Sequence, residues 1–412
     1  MSAKKVHADP GALEATVLSF QTQIDAHRSP APVSATPTRH LLYSSVAVDQ
    51  EERRLHQPAQ YCIRCNSAYL TGRPATMITN STPQRQLRGH MPQRTTPRAA
   101  TTGEHHARLA HRLTTRDRWI TRMLHEHRVL TTHQIAATAF TTLRAANKRL
   151  LDLYRWRVID RFQPFVHTGT APMHYVLDTA GAAVLAHEDG LEPSKTGYRH
   201  ETAIGIAHSL RLAHTVGRND FFVSLIAMSR HTREHHQLIA WWSEARCARH
   251  FGDITRPDAY GRWREDGREV EFFLEYDCGT EPLHQLATKL RGYHRLAVAT
   301  GVVTPLLFWL PSTAREAGAR RVLATARAEL DNPSLVPVAT TAATLTASDG
   351  RDSPAAARWL TVSGQDQPAR LQLAELWPKS VSTHNTGTVT PHLSVPTAGR
   401  TELTPPAPMP PP

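Results

Sequence analysis

The chain has 412 residues, of which 40% are apolar, with 48 Lys and Arg against 36 Asp and Glu, 25 His, 29 Pro and 4 Cys. That length calls for about two or three domains, no stretch approaches the roughly 18 apolar residues of a membrane span, and the N-terminus lacks the apolar core of a secretory signal. A soluble cytoplasmic protein with no membrane partner is expected, its net charge of +12 favouring polyanions and its few cysteines giving no disulfide framework.

Residues 1–99 hold 9 prolines and 332–412 hold 13, which leaves 7 for the 232 residues between. Both ends are therefore expected to be disordered, as a basic tail over 1–105 and an Ala/Thr/Pro-rich tail over 332–412. The first tail contains Cys62-Ile63-Arg64-Cys65, which suits half of a zinc site, with His56 and His90 as conceivable partners. A structural zinc needs four closely spaced ligands and the second pair is missing, so no zinc is expected. The second tail closes on Thr404-Pro405-Pro406-Ala407-Pro408 and reads as a solvated, partly extended segment.

Between 110 and 190 the pattern is helix, helix, helix, two strands, helix. Thr114 or Thr115 can cap a helix carrying Ile120, Met123 and Leu124, and Thr131-Thr132 can cap a second carrying Ile135, Ala136 and Phe140. A third helix, from about Thr142 to Trp156, places Ala146, Leu150 and Leu153 inward. Strands then follow over Val158–Phe162 and His174–Leu177. This is the order of a winged helix, in which the third helix enters the major groove of duplex DNA. Arg144, Lys148, Arg149, Arg155 and Arg157 stand against the single acid Asp152 on that helix and its exit. They are the candidate DNA-binding residues, although charged helix faces are often plain solvated surface and winged helices also bind proteins.

Between 200 and 331 the order is helix, three strands, helix, strand, helix, which suggests a mixed sheet covered by helices. The helical period runs from Glu201 to Val216, and a further helix runs from Asn219 to Met228. Strands fall at Leu238–Trp242, near Pro257–Tyr260, and over Glu269–Asp277. Pro282 opens a helix to about Ala299, Val302–Leu310 is a buried strand, and a last helix covers Thr313–Leu330.

Strand alternation puts Phe273, Glu275 and Asp277 on one face. Asp258 precedes Glu275 by 17 residues, enough for a strand, the charged turn around Asp266-Gly267 and a return strand that brings the two acids side by side. On the next helix Gln285, Lys289 and Tyr293 share one face at i, i+4, i+8. Carboxylates converging on a sheet suit Mg²⁺, which would bind a phosphate oxygen and activate a water, with a lysine holding developing charge. Asp258, Glu275 and Asp277 are thus candidate metal ligands, and with Lys289 the candidate catalytic set. The bland alternative makes Glu275 and Asp277 ion-pair partners of Arg256, Arg262 or Arg291.

Several runs carry a resemblance: Leu113-Thr114-Thr115-Arg116-Asp117, Val129-Leu130-Thr131-Thr132-His133-Gln134-Ile135, Arg149-Leu150-Leu151-Asp152-Leu153, Arg256-Pro257-Asp258-Ala259, Phe273 to Glu281, and Lys289-Leu290-Arg291-Gly292-Tyr293. Together and in this order they resemble the replication-relaxation family of actinobacterial plasmids and mobile elements, over about Leu113 to Leu310. The resemblance implies a role in plasmid replication, DNA relaxation or mobilisation through DNA binding. The second half separately resembles the PD-(D/E)xK nuclease-like fold, with Pro257-Asp258 as its first metal motif and Glu275 as its second acid. Asp277 stands where that pattern has its lysine, and Lys289 is the substitute on the next helix.

The fold class expected is therefore α+β with an α/β part: a winged-helix domain followed by a mixed-sheet, restriction-endonuclease-like domain. Three functions follow: a duplex-DNA-binding protein of plasmid replication or relaxation, a Mg²⁺-dependent nuclease or nickase, or a non-catalytic adaptor that recruits a relaxase or replication protein.

Overall fold

A computed structural model describes residues 97–164, 169–231, 235–345, 353–362, 369–377, 379–380 and 403–411. The Cys62/Cys65 pair, His56 and His90 lie outside the described residues. Two lobes share one apolar core, a cluster that runs from Leu124 and Leu150 in the first to Phe222 and Phe272 in the second.

The first lobe is built from caps and apolar stripes that are plain in the sequence. Helices α1 (Gly103–Arg112), α2 (Thr115–His127), α3 (Thr132–Ala139) and α4 (Leu143–Arg155) precede strands β2 (Ile159–Phe162) and β3 (His174–Leu177) and helix α5 (Thr179–Glu188). Thr114 and Asp117 form a reciprocal capping box at the start of α2, and Thr131 and Gln134 form one at α3, so orphan helix N–H groups at both starts are satisfied. Arg128 ends α2 at φ 71°, a backbone turn that re-aims the chain into the short strand β1 (Leu130–Thr131). Strands β1, β3 and β2 form an antiparallel sheet in that spatial order. α4 buries Ala146, Leu150 and Leu153 and leaves the opposite side to solvent.

The second lobe carries the mixed sheet. Helix α6 (His200–Ile204) is short, and the expected helix over Glu201–Val216 is broken by a 3-10 turn at Gly205–His208. Helix α7 (Leu212–His231) takes the end of that expected helix and the whole of the next, with no break at Gly217 and Arg218. Strands β4 (His236–Trp242), β5 (Ala259–Glu265) and β6 (Arg268–Tyr276) form an antiparallel meander, interrupted by helix α8 (Glu244–Phe251). Asp266 and Gly267 join β5 to β6 with both residues at positive φ (46° and 76°), the two-residue hairpin turn that an Asp-Gly pair favours.

From β6 the chain crosses through α9 (Leu283–Thr300) to the parallel strand β7 (Leu306–Leu310), then through α10 (Thr313–Ala328) to the parallel strand β8 (Val338–Ala342). Strand β9 (Leu360–Thr361) closes the far side and β10 (Lys379–Ser380) pairs with the start of β6. The sheet order is β4-β5-β6-β7-β8-β9.

Both tail boundaries differ from those expected. α1 begins inside the N-terminal 105 residues, and Arg98 donates to Tyr154 O and Ile159 O and ion-pairs with Asp160 and Asp178. The stretch after 331 supplies β8, whose five residues are all buried, and Trp359, which is fully buried. The proline count was a poor guide here because it averaged over β8 and Trp359 along with the polar segments. Residues 403–411 lie against the first lobe, with Leu403 packed on Leu185 and Ala186. No described helix is long and apolar enough to cross a membrane.

The two lobes are joined by polar side chains as well as by apolar packing. Gln134 of α3 donates to Val216 O of α7 at 2.9 Å, and Asn219 donates to Val129 O at 2.8 Å. His127, fully buried, stacks on Trp241 with ring centroids 3.6 Å apart.

Candidate functional site

The site lies where β5 begins and β6 ends. Antiparallel pairing sets Ala259 opposite Leu274, so Asp258, one residue before β5, sits at the same end as Glu275. Helix α7 approaches from one side because Gly217 lets it: a Cβ there would fall 2.3 Å from the Tyr276 hydroxyl. α9 approaches from the other with Lys289 and Tyr293 on its inward face.

Asp258 is buried and its Oδ2 accepts two hydrogen bonds, from the Tyr276 N–H at 2.9 Å and from His214 Nε2 at 3.1 Å. Glu275, 2% exposed, accepts from Lys289 Nζ at 2.8 Å on Oε2 and from the Tyr293 hydroxyl on Oε1. Lys289 also lies 3.2 Å from Glu281. Asp258, Glu275 and Lys289, drawn together from the sequence alone, therefore form one charged cluster.

Their electrostatics follow from burial and proximity. Burial would raise the Asp258 carboxyl, but His214 first, then Lys289 and the Tyr276 N–H, bring it down to about 2. Burial, and then the charge of Asp258, push Glu275 up to about 7 against the pull of Lys289 and Tyr293. Burial works against the Lys289 ammonium, yet Glu275 and Asp258 raise it. The Tyr293 phenol is pushed well above its usual range by burial and by Glu275.

Asp277 does not join them. Its Oδ2 accepts from Arg315 Nε of α10 and its Oδ1 from the Gly279 N–H at 2.7 Å, so both oxygens are engaged away from Asp258 and Glu275. Strand geometry ends at Tyr276, which is why the alternation that set Glu275 and Asp277 on one face fails at its last residue. The ion-pair alternatives fail as well: Arg262 pairs with Glu269, Arg291 with Glu329 at 3.6 Å, and the partners of Glu275 and Asp277 are Lys289 and Arg315.

Two residues that were not read from the sequence belong to the site. His214, Glu244 and Asp258 each present a ligand atom within 4.8 Å of the others. Glu244 is also engaged by Arg218, which donates to its Oε2 at 3.0 Å, and by Arg211 at 2.7 Å. The only sequence signal was His214 and Arg218 at i, i+4, which mattered once α7 was known to be a single helix. Beside Lys289 opens a cleft of about 680 Å³, lined among others by Thr255, Arg291, Gly292, His294 and Arg295. Gly292 keeps it close to the Asp258 loop, since a Cβ there would touch the Thr255 hydroxyl at 3.0 Å.

The basic residues of the first lobe separate into two groups. Arg144 and Lys148 are exposed one turn apart on the solvent side of α4. Arg149 instead turns inward onto Asp117, at 3.0 Å to Oδ1 and 2.5 Å to Oδ2, and stacks over Trp156. Arg155 is exposed and lies 3.8 Å from Asp152, and Arg157, at φ 58°, lies 3.6 Å from Asp178. Arg144, Lys148 and Arg155 thus face outward, the last beside Asp152, while Arg149 and Arg157 are turned onto Asp117 and Asp178 of the lobe itself.

Residues 122–306 match the family model described as replication-relaxation. No curated protein and no solved structure matches the chain. The matched span starts inside α2 and ends at the first residue of β7, so it takes in α4 and the whole Asp258, Glu275 and Lys289 cluster while leaving out Arg315 and the strands beyond. Over this span the chain is similar to the replication-relaxation family.

Proposed function

We propose that the protein binds duplex DNA through α4 and acts on it during plasmid replication or relaxation, with Asp258, Glu275 and Lys289 as a Mg²⁺-dependent strand-cleavage site. The observation that carries this reading is the convergence of two buried carboxylates and a lysine at one end of the sheet, beside a cleft lined by Arg291 and Arg295. Two acids buried together cost energy unless a cation compensates, and here one of them is driven toward neutrality. The donor set suits a hard cation: both hydrogen bonds to Asp258 land on Oδ2, which leaves Oδ1 for an incoming metal, and Glu275 supplies further carboxylate oxygen. A bound Mg²⁺ would supply Lewis-acid activation of a phosphate oxygen and of water.

The architecture supports the same reading. The order α7, antiparallel β4-β5-β6, α9 and parallel β7 is compatible with the core of a PD-(D/E)xK nuclease-like fold, and in this reading Lys289 takes the place of the lysine that position 277 lacks. Three helices, α2 to α4, beside the three-stranded β1-β3-β2 sheet are compatible with a winged helix, and in this reading α4 is the helix for the major groove and Arg144 and Lys148 its phosphate contacts.

Incubation of the purified protein with supercoiled plasmid and Mg²⁺ tests the cleavage claim. Nicking that is lost in Asp258→Ala is expected; no nicking, or nicking that survives the change, removes it.

A second reading has its own observation. Both carboxylates of the cluster already have a protein donor, His214 for Asp258 and Lys289 for Glu275, and Asp277 outside it is held by Arg315. An adaptor that binds DNA without cutting it, and recruits a relaxase or replication protein, would need nothing more. It predicts DNA binding that is indifferent to Mg²⁺ and a partner still retained after nuclease treatment.

A further inference from the structure

The last described residues of the chain raise a question that the DNA reading does not answer. Residues 403–411, Leu-Thr-Pro-Pro-Ala-Pro-Met-Pro-Pro, lie along α2 and the end of α5. Their contacts are those of ligand recognition. Trp119 donates its indole N–H to Ala407 O at 2.8 Å, and Arg122 donates to Thr404 O at 3.0 Å. The Thr404 N–H donates to Asp189 Oδ2 at 2.6 Å, while Arg122 Nη1 and Nη2 fork onto the two oxygens of the same carboxylate at 2.9 and 2.8 Å. Leu403 enters an apolar pocket with Leu185, Ala186 and Leu191, Pro410 is buried, and Met409 packs on the core.

The spacing fits the backbone conformation that prolines impose. A polyproline II helix has three residues per turn and no internal hydrogen bonds, so its carbonyls remain available to a partner. Positions 404, 407 and 410 are each three residues apart: the first two present carbonyls to Arg122 and Trp119, and the third is buried. Trp119 and Arg122 are in turn i, i+3 on α2, so one face of one helix reads one edge of the extended segment.

We propose that the groove formed by Trp119, Arg122, Asp189 and Leu185 is a reversible binding site for an extended proline-rich segment, with residues 403–411 of the same chain as its ligand in cis. Its ligand class is an aliphatic residue followed by Thr-Pro-Pro-x-Pro. Tethering raises the local concentration of that segment, so even weak intrinsic affinity keeps the groove filled. The site is independent of the Asp258 cluster and of α4, and its test does not depend on cleavage or DNA binding.

The test uses full-length chains and a fluorescein-labelled synthetic peptide of residues 401–412, followed by anisotropy. Leu403→Asp should release the cis segment without touching the groove, and that chain should bind the peptide at least about tenfold more tightly than the unsubstituted chain. Adding Trp119→Phe, which removes the indole N–H, or Arg122→Gln, which removes the fork, should abolish the gain while circular dichroism shows the fold retained. Two substitutions cover the case in which Trp119→Phe disturbs the core. Equal affinity of Leu403→Asp and the unsubstituted chain, equal binding of a scrambled peptide, or a gain that survives both groove changes would overturn the proposal.

Discussion

Arg149 of α4 forks onto both oxygens of Asp117 of α2, and Asp117 is at the same time the capping residue that holds Thr114. One carboxylate, 1% exposed, therefore ties the start of α2 to the middle of the helix proposed to meet DNA. Hydrogen bonds from Arg149 and Thr114 outweigh burial and hold the Asp117 carboxyl below its usual range.

Arg149→Ala should accordingly act on stability. Loss of one member of a buried pair costs about 3–5 kcal/mol, and a guanidinium a quarter exposed brings that to roughly 2–3 kcal/mol. Urea unfolding would show a lowered midpoint at constant slope. A midpoint unchanged within error would mean that the fork contributes nothing.

Arg144→Ala and Lys148→Ala should behave in the opposite way. Both side chains are exposed on α4, so stability should hold, while each lost phosphate contact lowers the slope of log affinity against log salt by about one. Duplex binding by the double variant across a salt series gives the answer directly. An unaltered slope places the interface elsewhere.

Much of this arrangement is legible in the sequence, and what is not legible there has physical causes. The caps offered by Thr114 or Thr115 and by Thr131-Thr132, and the turn around Asp266-Gly267, are local signals, and the structure settles them on Thr114, Thr131 and a two-residue hairpin. The pairing of Asp258 with Glu275 follows from strand period and hairpin length, both local. What could not be read was set by distant chain. Arg315, 38 residues downstream, captures Asp277, and Asp117, 32 residues upstream, captures Arg149. Charge on a helix says that a residue is polar; whether it faces solvent or a partner depends on what packs beside it. His214 and Glu244 were missed for the same reason, since α7 and α8 meet Asp258 only in three dimensions.

Gly217 offers a test of how closely α7 must approach. Its missing Cβ admits the Tyr276 ring, and His214, three residues earlier, meets that ring edge-on at 5.8 Å. Gly217→Ala should cost about 1–3 kcal/mol through overpacking, despite the better helix propensity of alanine. If thermal melting instead shows a gain, the helix and strand have more room than the 2.3 Å approach allows.

Glu275 gives the sharpest prediction, because burial and Asp258 raise its pKa from an ordinary 4.5 to about 7. Between those values the folded chain binds more protons at this position than the unfolded chain does, so its contribution makes stability fall as pH rises through that window. Asp258 has the opposite sign. Lowered from 3.8 to about 2, it contributes stability above its unfolded value that is lost as pH falls toward 2, well below the Glu275 window. Glu275→Gln removes the first titration and keeps the shape, so the melting temperature of the unsubstituted chain should fall relative to the variant from about pH 5 to about pH 7.5. Mg²⁺ at the proposed site would favour the Glu275 carboxylate, so adding it should narrow the gap at the upper end of the window and leave the lower end unchanged. Parallel curves without metal would show that Glu275 stays ionised throughout, with Lys289 outweighing both burial and Asp258.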